Sequence, residues 1–146
     1  MAKATEAHPY HRTRTLMSSP AELMLVLDNA AISLCKQAKT RIALKDFDDA
    51  HARLAKAENI VMELCWGLRR DGRPELVDEV CRLFEFVFYR LFEANVSHNP
   101  RCIDEAVSVL SGLRDTWVQA IEKAGQEMAR AVGADPRVRP RTRADT

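Results

Sequence analysis

The chain has 146 residues, 47% of them hydrophobic and 29% charged, which suits one folded domain and excludes a wholly disordered protein. Five glycines are too few for a turn-rich β-sandwich or a glycine-rich low-complexity chain. With 22 basic and 21 acidic side chains the formal net charge is +1, so there is no overall basic field that would attract nucleic acid.

The charge is unevenly distributed along the chain. Residues 1–18 and residues 133–146 each carry a net charge of +2, whereas residues 19–132 carry −3. We therefore expect three parts: an extended N-terminal strip over 1–18, a helical body over 19–132 and a disordered Arg/Pro tail over 133–146. No stretch has the apolar length of a membrane span or a secretory signal, which predicts a cytoplasmic protein.

The first predicted helix begins at Ser19-Pro20, where a capping residue precedes a proline at the first helical position. Beyond it, apolar residues recur at steps of three and four, which places them on one helical face. That face is formed by Leu23, Leu27, Ala30, Leu34, Ala38 and Ile42.

Three further helices follow, each with its own start signal. The second begins near Asp46, a good capping residue, and Gly72 ends it. Pro74 opens the third, and Asn99-Pro100 opens the fourth, which ends at Gly133. Long helices with short connections predict an all-α protein, an antiparallel four-helix bundle.

The third helix is apolar over too wide an arc. At about 100° per residue its apolar side chains cover about 180°, whereas a helix that faces one core needs little more than about 100°. Phe84, Phe88 and Phe92 mark the excess face. Either the helix buries two faces within its own domain, or this face is a groove for another helix or peptide.

The second helix carries two large apolar residues, Met62 and Trp66, outside its main stripe. Each is a candidate anchor for a partner, but Trp66 is equally compatible with packing under the N-terminal strip.

The sequence offers no recognisable catalytic or cofactor-binding motif. None of the four histidines follows a glutamate at the Glu-x-x-His spacing of a di-iron bundle, and there is no glycine-rich phosphate loop. The cysteines are too widely spaced for a short zinc motif and are expected to be reduced core residues. Acidic residues such as Asp28 and Glu58 are expected on solvated helix faces. We therefore expect no metal site, no cofactor and no enzymatic activity.

Three sequence blocks, in this order and spacing, resemble the FliS family of flagellar export chaperones. The first joins Tyr10 to the Ser-Pro-Ala-Glu-Leu segment over 19–23, and Tyr10 keeps the family's ten-residue distance to Pro20. The other two are the Arg-Leu-Phe-Glu-Ala-Asn run over 90–95 and the Leu-Arg-Asp-Thr-Trp run over 113–117. One departure is that Asp28 stands where the family commonly has a tyrosine.

The resemblance implies a chaperone that binds the disordered C-terminal segment of flagellin, prevents premature polymerisation and presents the complex to the cytoplasmic domain of the type III export gate. It also implies that the N-terminal strip lies over the bundle as a plug that the client displaces. On this basis Tyr10 is a candidate contact, together with the five residues selected by periodicity: Met62, Trp66, Phe84, Phe88 and Phe92.

Three alternatives remain open from the residues alone. The excess apolar face could pair with its own copy, giving a structural bundle that homodimerises without a client. The arginines of the tail could bind nucleic acid weakly through electrostatic contacts. A metalloenzyme with a site assembled in three dimensions is the third.

Overall fold

The structure is a computed structural model that describes residues 20–71 and 74–134. These residues form four helices: α1 (Pro20–Ala43), α2 (Phe47–Asp71), α3 (Pro74–Ser97) and α4 (Pro100–Ala134). The predicted all-α fold is confirmed, and the helix bounds agree with the start signals in the sequence. The predicted N-terminal strip and Arg/Pro tail lie outside the described residues, except for Gly133 and Ala134 at the end of α4.

Each of the four helices packs against two of the others. Helix α1 packs against α2 and α4, and α3 packs against the same two neighbours. Between α1 and α2 the connection is three residues long, and between α3 and α4 it is two, so consecutive helices run antiparallel. None of the described helices combines the length and the hydropathy of a membrane span.

Side-chain caps explain where two of the helices begin. The backbone N–H of Asp49 donates to Oδ1 of Asp46 at 3.3 Å, and that of Arg101 donates to Oδ1 of Asn99 at 3.0 Å. Each bond satisfies an amide that the first helical turn leaves without a partner. The predicted caps at Asp46 and Asn99 are therefore confirmed, whereas Ser19, the predicted cap of α1, lies outside the described residues.

The core is continuous along all four helices, but on α1 its centre differs from the predicted face. Ala31 and Cys35 are fully buried, whereas Leu23, Leu34 and Ile42 are only partly buried at its margin. Because α1 packs against both α2 and α4, its buried surface is wider than one stripe and is centred between two contacts.

Helix α4 is longer than its neighbours, with 35 residues against 24 or 25. The difference corresponds to about 15 Å at 1.5 Å per residue. Its buried residues end at Leu113, and large side chains near its C-terminus, such as Met128 and Val132, are exposed. The last part of α4 therefore extends beyond the core that the other helices share.

The residue two positions beyond the end of helix α1 has a strained backbone conformation. Lys45 has a φ of 59°, in the left-handed region. The N–H groups of Lys45 and Asp46 donate to the carbonyls of Ile42 and Arg41, both at 2.9 Å, which is the Schellman arrangement. Glycine is the usual residue at this position because it has no Cβ to clash. We expect Lys45→Gly to raise the free energy of unfolding by about 0.5–1 kcal/mol, measured by urea denaturation.

Lys45→Ala is the matched control, since it removes the same charge and keeps the Cβ. We expect no comparable gain from it. Equal gains in the two variants would show that the lysine charge, and not the backbone conformation, limits stability there.

Candidate partner-binding surface

Helix α3 exposes large apolar side chains on both sides of its buried stripe. Val87, Leu91 and Ala94 are fully buried along the centre of that stripe. Six large apolar side chains of the same helix are exposed: Leu76, Leu83, Phe86, Tyr89, Phe92 and Val96. Within the described residues, therefore, α3 does not bury its whole apolar arc in its own domain.

One of the two exposed flanks borders helix α2 and forms a groove of about 290 Å³. We call it the α2–α3 groove. It is lined by Val61, Met62, Cys65, Phe84, Glu85, Phe88 and Tyr89. Apart from Glu85 these side chains are apolar or weakly polar, and the rings of Phe88 and Tyr89 meet edge-on with centroids 5.8 Å apart. A concave, largely apolar surface of this kind suits the apolar face of a helix.

The other flank borders helix α4. Arg90 of α3 forms ion pairs with Glu93 at 2.6 Å and with Glu105 of α4 at 2.7 Å, so this side of α3 faces α4. Leu83, seven residues before Arg90, lies on the same side and is 41% exposed. Charged and apolar groups therefore alternate along this flank, whereas the α2–α3 groove is almost entirely apolar.

The structure separates the predicted contact residues into three classes. Met62, Trp66 and Phe92 are exposed, at 44%, 63% and 55%. Phe88 is half-buried and lines the groove. Phe84 also borders the groove, but its side chain is only 1% exposed and belongs to the core. Tyr10 lies outside the described residues, so its role stays a prediction.

The predicted contacts omit four of the residues that line the groove: Val61, Cys65, Glu85 and Tyr89. Tyr89 falls outside the apolar arc that periodicity defines, yet 66% of its surface is exposed beside Phe88. Cys65 is expected in the core with the other cysteines, but it is only half-buried. Its position three residues after Met62, on the same face of the helix, is the signal that could have identified it.

A polar cluster joins α2 and α3 further along their contact. Nδ1 of His51 lies 2.8 Å from Oδ1 of Asn95, the asparagine of the family-like run in α3. Glu58 is half-buried nearby, and burial raises the pKa of its carboxyl, with the Asn95 amide and the His51 ring partly offsetting the rise. The expectation that Glu58 lies on a fully solvated face is therefore wrong, because it faces this interhelical cluster.

Asp28 is a larger departure from expectation. It is 0% exposed, and neither carboxylate oxygen accepts a hydrogen bond of good geometry from the part of the chain that the structure describes. Burial raises the pKa of Asp28 to about 7, although the Trp117 indole N–H and the Arg114 charge act in the opposite direction. The predicted solvated position is wrong because packing against α4 encloses this side of α1.

The described residues contain no cluster of three or more His, Cys, Asp or Glu side chains that could hold a metal ion. The features that the structure does bring together, an apolar groove and exposed aromatic side chains, are those of a surface that binds a polypeptide.

Comparison with known proteins places the chain among flagellar proteins. The family model described as "Flagellar protein FliS" matches residues 1–124. The flagellar secretion chaperone FliS of Bacillus subtilis is 28% identical over 113 residues, which cover 77% of this chain and 84% of the relative. The FliS of Salmonella typhimurium is 27% identical over 116 residues, covering 79% and 86%. For FliSB of Pseudomonas aeruginosa the identity is 25% over 100 residues, covering 68% and 79%.

The family match includes all of α1, α2 and α3 and most of α4, and so it includes both walls of the α2–α3 groove. The chain belongs to the FliS family of flagellar secretion chaperones.

Proposed function

We propose that this protein is a cytoplasmic chaperone that binds the disordered C-terminal segment of flagellin and prevents its polymerisation before export. The observation that carries the proposal is the α2–α3 groove, with the exposed aromatic side chains of α3 beside it, on a chain of this family. A helical bundle without a binding partner would be more stable if Phe92 and Tyr89 were buried. In this structure they are 55% and 66% exposed.

The physical logic of such capture follows from conformational entropy. A disordered segment that folds on binding loses backbone and side-chain freedom, so it needs a long apolar surface in return. The α2–α3 groove offers such a surface, and the other flank of α3 adds exposed apolar side chains between its charged groups. Helical pieces of the client would place residues at steps of three and four into the groove.

Delivery to the cytoplasmic domain of the export gate is the second part of the proposal. The N-terminal strip over 1–18 would lie on the bundle and be displaced by the client, with Tyr10 packing its ring on the protein or on the gate. Nucleic-acid binding and membrane insertion have no part in this function.

Calorimetric titration with the C-terminal segment of about 50 residues from the flagellin of the same source tests client binding. We expect 1:1 submicromolar affinity with a large negative heat-capacity change, because apolar surface is buried as the segment folds. Phe92→Ala is expected to weaken binding about tenfold, equivalent to about 1.4 kcal/mol, since exposed aromatic side chains are the usual anchors of such contacts.

Met128→Ala is the matched control for Phe92→Ala. Met128 is 68% exposed but lies near the end of α4, away from the groove. We expect it to bind the segment with wild-type affinity. Absence of binding heat and of a change in mass at high micromolar concentration would contradict the proposed function.

Self-association through the same face is the alternative function. It predicts a mass that rises with concentration for the free protein and a decrease in dimer caused by Phe92→Ala. A free protein that stays monomeric at all concentrations argues against this alternative and leaves the face available to a client.

A further inference from the structure

Two cysteine thiols meet at the wall of the α2–α3 groove. Sγ of Cys65 in α2 lies 3.1 Å from Sγ of Cys81 in α3, and both are free thiols. The two other cysteines, Cys35 and Cys102, are each buried and have no such thiol neighbour among the described residues. The close pair therefore distinguishes this place in the fold from the rest of the core.

We propose that Cys65 and Cys81 form a redox-active dithiol that a low-molecular-weight disulfide oxidises to a covalent bridge between α2 and α3. The sulfur atoms need to approach by about 1 Å to reach the ~2.05 Å of a disulfide bond. The bridge would tie together the two helices that form the groove.

The exposure of the two thiols determines which of them reacts first with the reagent disulfide. Cys65 is half-buried and lines the groove, whereas Cys81 is 3% exposed. The Cys65 thiolate therefore attacks a reagent disulfide first, forming a mixed disulfide and releasing one reagent thiol. Cys81, as its thiolate, then attacks the Cys65 sulfur and releases the second reagent thiol. In total the protein gives up two electrons and two protons, and the reagent disulfide becomes two thiols.

The surroundings of the pair control the rate. Burial raises the pKa of Cys65 to about 11, and the hydrogen bond and charge of Cys81 add to the rise, while Arg69 opposes it. Nη2 of Arg69 lies 4.0 Å from Oε1 of Glu85 in α3. This ion pair reduces the stabilisation that the Arg69 charge gives to the Cys65 thiolate. Since only the thiolate attacks, oxidation is slow at pH 7 and becomes about tenfold faster per pH unit up to pH 9.

The full-length reduced protein, treated with oxidised glutathione at pH 8 without any client, tests the proposal. We expect its intact mass under denaturing, non-reducing conditions to fall by two hydrogen atoms, with the peptides of Cys65 and Cys81 cross-linked. The bridged protein is expected to melt about 10 °C higher, since the bond closes a loop between residues 16 apart.

Two variants make the result specific. Cys81→Ser is expected to stop at the mixed disulfide, so that glutathione remains on Cys65. The Cys35→Ser/Cys102→Ser double variant keeps the pair and is expected to form the bridge as the wild type does. If Cys81→Ser does not fold, differential alkylation of the oxidised wild type still identifies which thiols are consumed. A wild-type protein that accumulates a stable glutathione adduct on Cys65, or that shows no reaction at pH 9, would overturn the proposal.

Discussion

Replacing Phe84 with alanine is expected to lower the free energy of unfolding by about 3–5 kcal/mol, measured by urea denaturation at pH 7. Among the described residues Phe84 is the largest fully buried side chain, at 1% exposed, and it lies among core residues of the four helices. Its truncation removes buried apolar area and leaves a cavity that the close-packed helices fill only in part. The residue borders the α2–α3 groove, but its main contribution is to the fold.

Phe92→Ala is the matched comparison, because it removes the same kind of side chain further along the same helix, where 55% of it is exposed. We expect its free energy of unfolding to stay within about 0.5 kcal/mol of the wild type. A similar loss of stability from the two substitutions would show that Phe92 is also a core residue, and the proposed contact surface would lose its most exposed phenylalanine.

Replacing Asp28 with asparagine is expected to abolish a pH dependence of stability. The pKa of Asp28 is raised from 3.8 to about 7 in the folded protein. Between these values the folded state binds more protons than the unfolded state, so stability falls as pH rises. The penalty is absent below about pH 4, complete above about pH 7 and amounts to at most about 4 kcal/mol.

The amide that Asp28→Asn introduces cannot ionise, so the variant does not carry this penalty at neutral pH. Between pH 5 and pH 8 we expect the wild type to lose roughly 2–3 kcal/mol relative to Asp28→Asn, measured by urea denaturation at each pH. Asp115→Asn is the control. The Asp115 carboxylate lies 3.7 Å from the same Arg114, but its side chain is 70% exposed. Asp115→Asn therefore removes a carboxylate charge near Arg114 that is solvated and not buried. Parallel stability curves for the wild type and Asp28→Asn would contradict the assignment of the penalty to Asp28.

The helices could be predicted closely because their signals are local. Proline at the first turn, the caps at Asp46 and Asn99, and apolar steps of three and four act within a few residues of the chain. The face that α1 buries could not be predicted from the sequence as closely as the helix bounds. Its position depends on the two helices that contact α1, and neither Ala31 nor Asp28 belongs to the predicted face although both are fully buried.

The candidate site, too, could be predicted from the sequence only in part. Periodicity indicates that α3 has more apolar surface than one core contact uses, and this excess is present as exposed side chains. It could not distinguish Phe84 from Phe92, since both belong to one series at steps of four. Which of the two is enclosed depends on where α2 and α4 touch α3.

The sequence by itself determined the number, length and order of the helices, because these follow from short-range capping and periodicity. The family-like runs around Glu22 and over 90–95 and 113–117 are likewise readable in the chain. Only the tertiary structure decided that Asp28 is enclosed, that Cys65 and Cys81 meet and that Phe92 is exposed while Phe84 is buried. Each of these depends on contacts between helices that are distant in sequence, and such contacts are set by packing.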